Sequence, residues 1–138
     1  MSAIKPFFDT NVLLYLLSDD VAKAGCAEAL LAQGGTLSVQ VLNEFAAVAS
    51  RKLGLSYPEI REVLAPIRMI CAIEPVTLET HEQGLQIAER HGFRLYDAMI
   101  IAAALLAGCQ TLYSEDLQNG QTFDGKLTIH NPFIRSDL

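Results

Sequence analysis

The sequence predicts an α/β fold with a mostly parallel sheet. Short apolar segments that suit buried strands alternate with longer segments of helical periodicity, which is the pattern of parallel α/β proteins. The 138 residues fit one compact domain, and a content of 51% hydrophobic and 19% charged residues supplies a core. No internal repeat or linker interrupts the pattern. We therefore expect residues 1–138 to form a single domain.

Six helices are expected from capping residues at their starts and from glycines after several of their ends. Asp20 is suited to cap the second helix, and Ser56 with Glu59 forms a capping-box pattern at the start of the fourth. Thr77 opens the fifth helix, and the sixth is apolar on nearly every side. The predicted helices are 10–17, 21–32, 40–53, 56–70, 77–91 and 96–107.

Five short segments between these helices predict the strands. Pro6 lies in the first of them and favours an early or edge position for that strand. The segment 115–125 is rich in turn formers, and Asn131-Pro132 ends the last strand. The predicted strands are 3–9, 36–39, 71–76, 110–114 and 126–130.

The chain is acidic, with a net charge of −6 and a pI of about 4.9. Proteins that bind nucleic acids usually need a basic surface for phosphate contacts, so this charge argues against a nucleic-acid partner. The argument weakens if several acids are metal ligands, because a divalent ion reverses the local sign of the charge.

Three features of the sequence predict a cytoplasmic protein. The N-terminus has no basic leader followed by a cleavage site. The longest apolar run, 98–109, is shorter than the roughly 18 residues that suggest a membrane helix, so no membrane contact is expected. Cys26, Cys71 and Cys109 are odd in number and form no CxxC pair, which favours buried thiols over disulfides or a zinc site.

Four of the sixteen acidic residues lie in apolar settings instead of on polar helix faces. They are Asp9, Glu44, Asp97 and Asp116. Each has a simple structural explanation, as a helix cap, as a carboxylate at the edge of an apolar helix stripe, or as a turn residue. Asp9 and Asp97 are the candidates for caps. Only the group of four raises the question of a shared site.

Two of these acids are expected at the same edge of the sheet. Asp9 ends the first strand, and Ser114 and Asp116 follow the fourth. In a parallel α/β sheet, ligands bind beyond the carboxyl ends of the strands. Carboxylates gathered there repel one another, and a hard divalent cation such as Mg²⁺ or Mn²⁺ relieves that repulsion. Clustered acids without His or Cys ligands indicate phosphoryl chemistry, in which a metal-activated water attacks phosphorus.

Four segments resemble the PIN-domain ribonucleases, and more closely the VapC-like toxins of type II toxin–antitoxin pairs. The segments are FFDTNVLLYLL, VLNEFAAV, LYDAMIIAAA and LYSEDLQNG, in the order and spacing of that family. The D-T-N opening and the Y-D-A helix start are specific as a set. SED replaces the more frequent Thr-x-Asp pattern and leaves the acid in place. The resemblance covers essentially the whole chain and implies a three-layer α/β/α PIN-like domain.

The resemblance also implies a catalytic site that binds Mg²⁺ or Mn²⁺ through acidic side chains. Three of the four acids would be direct ligands, and Glu44 would act directly or through a water. The matching positions are Asp9, Glu44, Asp97 and Asp116 for catalysis and metal binding, with Asn11 and Ser114 as polar support.

An endoribonuclease with this resemblance would cleave RNA, form a homodimer and be blocked by a small cognate antitoxin protein. Attack by a metal-activated water requires no ribose 2′-hydroxyl and leaves a 5′-phosphate and a 3′-hydroxyl. Arg51, Lys52, Arg90 and Arg94 are candidates for RNA contact, with ordinary solvated charge as the alternative.

Two other functions compete with this prediction. A haloacid-dehalogenase-like phosphatase would use Asp9 as a nucleophile in a DxD pattern, but Asn11 stands where the second acid is expected. A catalytically silent PIN-like domain would bind RNA or protein without cleaving it, and the four intact acids argue against this function. A covalent aspartyl-phosphate would support the phosphatase. If the intact protein and the Asp9→Asn variant stopped growth equally, the catalytic function would be refuted and the silent domain supported.

Overall fold

A computed structural model describes residues 5–134. The strands in this range are β1 Phe7–Phe8, β2 Gly35–Ser38, β3 Cys71–Glu74, β4 Thr111–Tyr113, β5 Thr122–Phe123 and β6 Leu127–His130. They form one sheet in the order β3-β2-β1-β4-β6-β5. Neighbouring strands are parallel, except that β5 runs antiparallel to β6. The predicted α/β class with a mostly parallel sheet is confirmed.

Helices and sheet together form a three-layer α/β/α fold. A short 3₁₀ turn, Tyr15–Leu17, follows the first helix and shortens the helix that was predicted at 10–17. The helices described within 5–134 are α1 Thr10–Leu14, α2 Val21–Ala32, α3 Val39–Arg51, α4 Tyr57–Ile70, α5 Leu78–His91 and α6 Leu95–Leu106.

Side-chain hydrogen bonds to backbone N–H groups set the starts of several helices, as predicted. Asp20 caps α2 by accepting the N–H of Lys23 at 3.2 Å. Ser56 and Glu59 form a reciprocal capping box at α4, with hydrogen bonds of 3.2 and 2.9 Å. Thr77 caps α5. These bonds satisfy N–H groups that have no partner within the helix.

The apolar helix α6 lies in the core, where residues 98–104 are all buried. Gly84 of α5 packs directly against it. A Cβ atom at Gly84 would lie 2.7 Å from Cγ of Met99, so this close packing of the two helices requires glycine. The contact helps to place the first turn of α6, which carries Asp97.

Two details of the sheet differ from the sequence-based predictions. Of the early or edge position predicted for β1, the early position is confirmed and the edge position is wrong, because β1 is the first element of the described chain and lies in the interior of the sheet. Pro6 precedes the strand, and its carbonyl still accepts the N–H of Thr36 at 2.8 Å, so the missing N–H of proline interrupts no pairing within β1. The turn-rich segment 115–125 contains β5. Residues 3–4 of the first predicted strand lie outside the described range.

Two further features concern the apolar length of the helices and the pairing of the cysteines. No helix within 5–134 is both long enough and apolar enough to cross a membrane. Cys71 and Cys109 are buried free thiols, and Cys26 is a half-buried one. The thiol of Cys26 donates to the carbonyl of Pro132 at 3.3 Å, which joins α2 to the segment after β6.

Candidate active site

Asp9 is a buried carboxylate at the carboxyl end of β1, and the residue is 7% exposed. Its Oδ1 accepts the N–H of Thr10 at 2.7 Å, which caps α1, and its Oδ2 accepts the hydroxyl of Ser114 at 2.7 Å. Burial raises the pKa of Asp9 to about 6, although these two hydrogen bonds lower it. The nearby charges of Asp116 and Glu44 raise it further. The predicted cap is therefore confirmed, and the same carboxylate faces a group of other acids.

Asn11 joins the two sides of this group. Its Nδ2 lies 3.3 Å from Oδ2 of Asp9, 3.3 Å from Oγ of Ser114 and 3.2 Å from Oδ2 of Asp116. Its Oδ1 accepts the backbone N–H of Glu115 at 3.1 Å. The amide group has only two hydrogens for these three acceptors. The carboxylate oxygens of Asp9 and Asp116 can therefore accept further hydrogen bonds or bind a cation.

Ser114 connects Asp9 to the loop that follows β4. The residue is fully buried, and its backbone N–H donates to the carbonyl of His130 at 3.1 Å. Its Oγ accepts the N–H groups of Asp116 and Leu117 at 3.2 and 3.3 Å, which gives the loop a tight turn. The turn brings the exposed Asp116 to the same edge of the sheet as Asp9. The predicted shared rim of β1 and β4 follows from their parallel pairing.

Glu44 reaches the site from α3 and is held by two polar side chains. Its Oε1 accepts the hydroxyl of Thr10 at 2.9 Å and lies 3.5 Å from Nε2 of Gln40. Gln40 also donates to the backbone carbonyl of Tyr96 at 2.9 Å, one residue before Asp97. Neither Thr10 nor Gln40 was predicted from the sequence as a site residue. A signal for Gln40 exists, since it lies four residues before Glu44 on the same helix face.

Asp97 is the third residue of α6 and does not cap it, so the predicted cap is wrong. The N-cap position is Arg94, which makes no side-chain capping bond. The helix begins at Leu95, one residue before its predicted start, so Asp97 lies inside the first turn. Burial and the charge of Asp116 raise the pKa of Asp97, and the positive charge of Arg94 lowers it. Asp97 is thus within electrostatic range of Asp116, as Asp116 and Glu44 are of Asp9.

A cluster outside the four acids was not anticipated from the sequence. We call it the outer cluster, and it consists of Tyr15, Lys23 and Glu115. Burial would raise the pKa of Glu115, but hydrogen bonds from Tyr15 and Lys23 and the charge of Lys23 together lower it. Hydrogen bonds to Tyr15 and Glu115 raise the pKa of Lys23. Lys23 and Glu115 form an ion pair. Both side chains are therefore charged at neutral pH.

The four basic residues that were predicted to contact RNA lie at different distances from the acids. Arg94 is near Asp97, as its effect on that pKa shows. Arg51 and Lys52, which are exposed, end α3 about 10 Å further along the helix axis than Glu44, at 1.5 Å per residue. Arg90 lies elsewhere, in a groove of about 260 Å³ that α5 lines with Glu79, Glu82 and other side chains.

A sequence profile of the PIN domain matches residues 7–119, which make up most of the chain. The chain belongs to the PIN domain family. The match runs from β1 to the loop after β4 and includes all four acids. Family membership leaves the phosphatase alternative without support, and Asn11 hydrogen-bonds to Asp9 where that alternative needs a second acid. No curated protein sequence matches the chain.

Solved structures of toxins resemble this PIN domain over most of its length. VapC20 of Mycobacterium tuberculosis, a sarcin-ricin loop cleaving toxin, is 26% identical, with 80% of this chain and 89% of that chain covered and a TM-score of 0.66. A toxin–antitoxin complex from Klebsiella pneumoniae is 20% identical, with 93% and 98% covered and a TM-score of 0.70. VapBC2 of Rickettsia felis, bound to a promoter DNA fragment, is 16% identical, with 91% and 97% covered and a TM-score of 0.65. The last two likenesses show the fold alone.

Nucleases of the PIN family generally use divalent metal ions, and the ligand types at this site fit such an ion. All of the candidate ligands are carboxylates, which hard cations prefer. The buried carboxylate of Asp9 has a raised pKa and spare acceptors around it, so positive charge there is stabilising. Within 5–134, no three acidic, histidine or cysteine side chains form a preformed metal cage. The Nδ2 group of Asn11 instead bridges Asp9 and Asp116.

Proposed function

We propose that this PIN domain is a metal-dependent endoribonuclease and the toxin of a type II toxin–antitoxin pair. The observation that carries the proposal is the bridge from Asp9 through Asn11 to Asp116 at the rim of β1 and β4, with Glu44 and Asp97 within electrostatic range. The site is acidic, and the domain belongs to a family whose members are nucleases. The toxin structures that share the fold support the biological role.

Asp9, Asp97 and Asp116 would hold Mg²⁺ or Mn²⁺, with Glu44 acting directly or through a water. When bound, the ion supplies positive charge at the phosphate and a water that is easier to deprotonate. The hydroxyl of Ser114 favours the ionised form of Asp9, because it donates to a carboxylate oxygen.

Glu44 has one oxygen held and one free. Its Oε1 is held by Thr10 and Gln40, and its Oε2 makes no hydrogen bond to any residue in the described part of the chain. The free oxygen is available to accept a proton from water. Thr10 and Gln40 orient the carboxylate for this role.

The proposed substrate is RNA, and the proposed reaction is hydrolysis to a 5′-phosphate and a 3′-hydroxyl. The net charge of −6 disfavours RNA approach in general. Bound cations and the basic side chains nearest the acids offset this repulsion. Arg94, Arg51 and Lys52 are the proposed contacts, in that order of proximity, and Arg90 has the weakest support because it lies in a separate groove.

The proposed protein partners are a cognate antitoxin and a second copy of the chain. Two of the similar structures are a toxin–antitoxin complex and VapBC2. An open, mainly apolar groove of about 440 Å³ lies beside Glu44, with exposed Val39, Val76 and Tyr96 in its walls. Exposed apolar side chains of this kind suit a protein interface. We also propose that the protein acts in the cytoplasm, where its RNA substrates are.

A cleavage assay with purified protein and end-labelled single-stranded RNA tests the function. We expect cleavage with Mg²⁺ or Mn²⁺, none with excess EDTA, and a loss of at least about a hundredfold in Asp9→Asn. Asp124→Asn is the matched control, since Asp124 is an exposed acid whose φ of 54° asparagine tolerates. Cleavage that survives Asp9→Asn or EDTA would refute the proposal. Binding without cleavage would indicate the catalytically silent domain.

A further inference from the structure

The outer cluster joins three separate elements of the fold at one edge of the acidic site. Nζ of Lys23, on α2, lies 2.9 Å from Oε2 of Glu115 and 3.1 Å from the hydroxyl of Tyr15. Tyr15, in the 3₁₀ turn after α1, donates a hydrogen bond to Oε1 of Glu115. Both carboxylate oxygens of Glu115 are therefore held, each by a different element.

Lys23 is held by contacts of both its backbone and its side chain. Its backbone N–H is bound by the capping side chain of Asp20, which fixes its position in the first turn of α2. Its Nζ lies 4.7 Å from the ring centroid of Tyr15 and 6.0 Å from that of Phe133. The two rings pack against each other with centroids 4.5 Å apart. The ammonium group is therefore within cation–π distance of the Tyr15 ring as well as paired with Glu115, so Lys23 has more contacts than an isolated surface ion pair provides.

Glu115 stands between two residues of the acidic site, the buried Ser114 and the exposed Asp116. Its backbone N–H donates to Asn11, and its side chain is held by the outer cluster. The loop after β4 is thus attached on its inner side by Asn11 and on its outer side by Lys23 and Tyr15. A loop fixed on both sides has little freedom to move Asp116.

We propose that Lys23 and Tyr15 are positioning residues that hold Glu115, and through it place Asp116 for the reaction. The inference deepens the proposed function and rests on it for its catalytic consequence. Neither residue touches the group of four acids in a hydrogen bond within 5–134, so their effect passes through the backbone of the loop.

The first test compares Lys23→Met with Lys126→Met. Lys126 is exposed in the turn between β5 and β6, and its side chain makes no hydrogen bond or ion pair in the described part of the chain. Both variants lose one positive charge. We expect Lys23→Met to lower kcat by about tenfold to a hundredfold with KM for RNA within about twofold, because misplacement of a catalytic group affects the chemical step. Lys126→Met should match the wild type.

The second test measures the loop itself, without RNA or metal. Hydrogen exchange followed by NMR reports the protection of the N–H groups of Glu115 and Asp116, which are bonded to Asn11 and Ser114. In Lys23→Met and Tyr15→Phe we expect exchange at both amides to rise by about tenfold, while amides in α6 stay as in the wild type. A merely global loss of stability would raise exchange everywhere.

A charge exchange provides the rescue. The double variant Lys23→Glu with Glu115→Lys restores the ion pair with its partners reversed, so it should recover amide protection and activity that each single variant loses. Unchanged protection at Glu115 and Asp116 in Lys23→Met would overturn the inference. So would a double variant no better than the worse single variant. A wild-type protein that fails to cleave RNA refutes the proposed function instead, and the exchange experiment still decides whether the outer cluster holds the loop.

Discussion

The hydroxyl of Ser114 donates to Oδ2 of Asp9 across 2.7 Å, and both side chains are buried where two adjacent parallel strands end. This bond joins the first strand to the loop after the fourth, 105 residues away along the chain. It also counteracts the effect of burial on Asp9, because a donor to the carboxylate favours the charged form. The same hydrogen bond therefore connects two parts of the fold and favours the ionised form of Asp9.

Replacing Ser114 by alanine should raise the pKa of Asp9 further and destabilise the protein. The change removes a hydrogen bond that lowers this pKa and leaves a buried carboxylate oxygen with fewer donors. We expect a loss of about 1–3 kcal/mol in the free energy of unfolding. Urea unfolding and an NMR titration of the Asp9 carboxyl measure the two effects. Thr122→Ala, which removes an exposed hydroxyl, is the control, and an equal loss there would contradict the prediction.

Without metal, the titration of Asp9 should reduce the stability of the folded protein as the pH rises from about 4 to above 6. In this window the unfolded chain has released the proton of Asp9, whose ordinary pKa is 3.8, while the folded protein retains it up to about 6. Protonation thus favours the folded state, and the stability is lost as the pH passes the folded pKa. The shift corresponds to about 3 kcal/mol.

Asp9→Asn isolates this pH effect, because Asn also caps helices and does not titrate. Carboxylates outside the acidic site contribute equally to both proteins, so the difference between the two curves reports Asp9 and its coupling to Asp116 and Glu44. Urea unfolding in EDTA at several pH values provides the data. A wild-type curve parallel to that of Asp9→Asn would show that the folded pKa of Asp9 is not raised.

The sequence identified the helices, the parallel sheet and the rim shared by Asp9 and Asp116, because periodicity and capping residues are local signals. It did not identify β5, a strand of two residues that exists only through its pairing with β6. It placed Asp97 at a cap because the helix was predicted to start at about residue 96, whereas α6 begins at Leu95 and Asp97 is its third residue.

Contacts between distant side chains were the part of the site that the sequence concealed. Lys23 and Glu115 are separated by 92 residues, and both belong to residue types that are usually solvated. Gln40 and Tyr96 are separated by 56 residues, and a side-chain bond to a backbone carbonyl leaves no residue pattern. Such pairs follow from the packing of α2, α3 and α6 around the sheet, which no local pattern specifies.

Mg²⁺ or Mn²⁺ should stabilise the folded protein by binding its clustered carboxylates. A ligand at a hundred times its dissociation constant stabilises by about 2.7 kcal/mol, which raises Tm by several degrees. Thermal melts with millimolar metal at constant ionic strength test this, with Asp9→Asn and Asp116→Asn expected to lose most of the shift. A melting temperature that metal leaves unchanged would argue against a metal site at these residues.

Asp97→Asn should abolish cleavage with little effect on folding. Asp97 lies in the first turn of α6 without capping it, so the loss is limited to a favourable charge near the helix N-terminus, about 0.3–1 kcal/mol. Part of that loss is offset, because burial and the charge of Asp116 disfavour the ionised carboxylate. Urea unfolding and the RNA cleavage assay measure the two effects separately. Substantial residual cleavage would remove Asp97 from the proposed ligands.

The most direct measurement of the central claim is the chemistry of the cleaved ends on an RNA whose scissile nucleotide lacks its 2′-hydroxyl. Hydrolysis by a metal-activated water does not use that hydroxyl. We predict that the purified protein cleaves the 2′-deoxy substrate with Mg²⁺ and leaves a 5′-phosphate and a 3′-hydroxyl. The Asp9→Asn variant should not cleave this substrate. Loss of cleavage on the 2′-deoxy substrate, or 2′,3′-cyclic phosphate ends on ordinary RNA, would contradict the account.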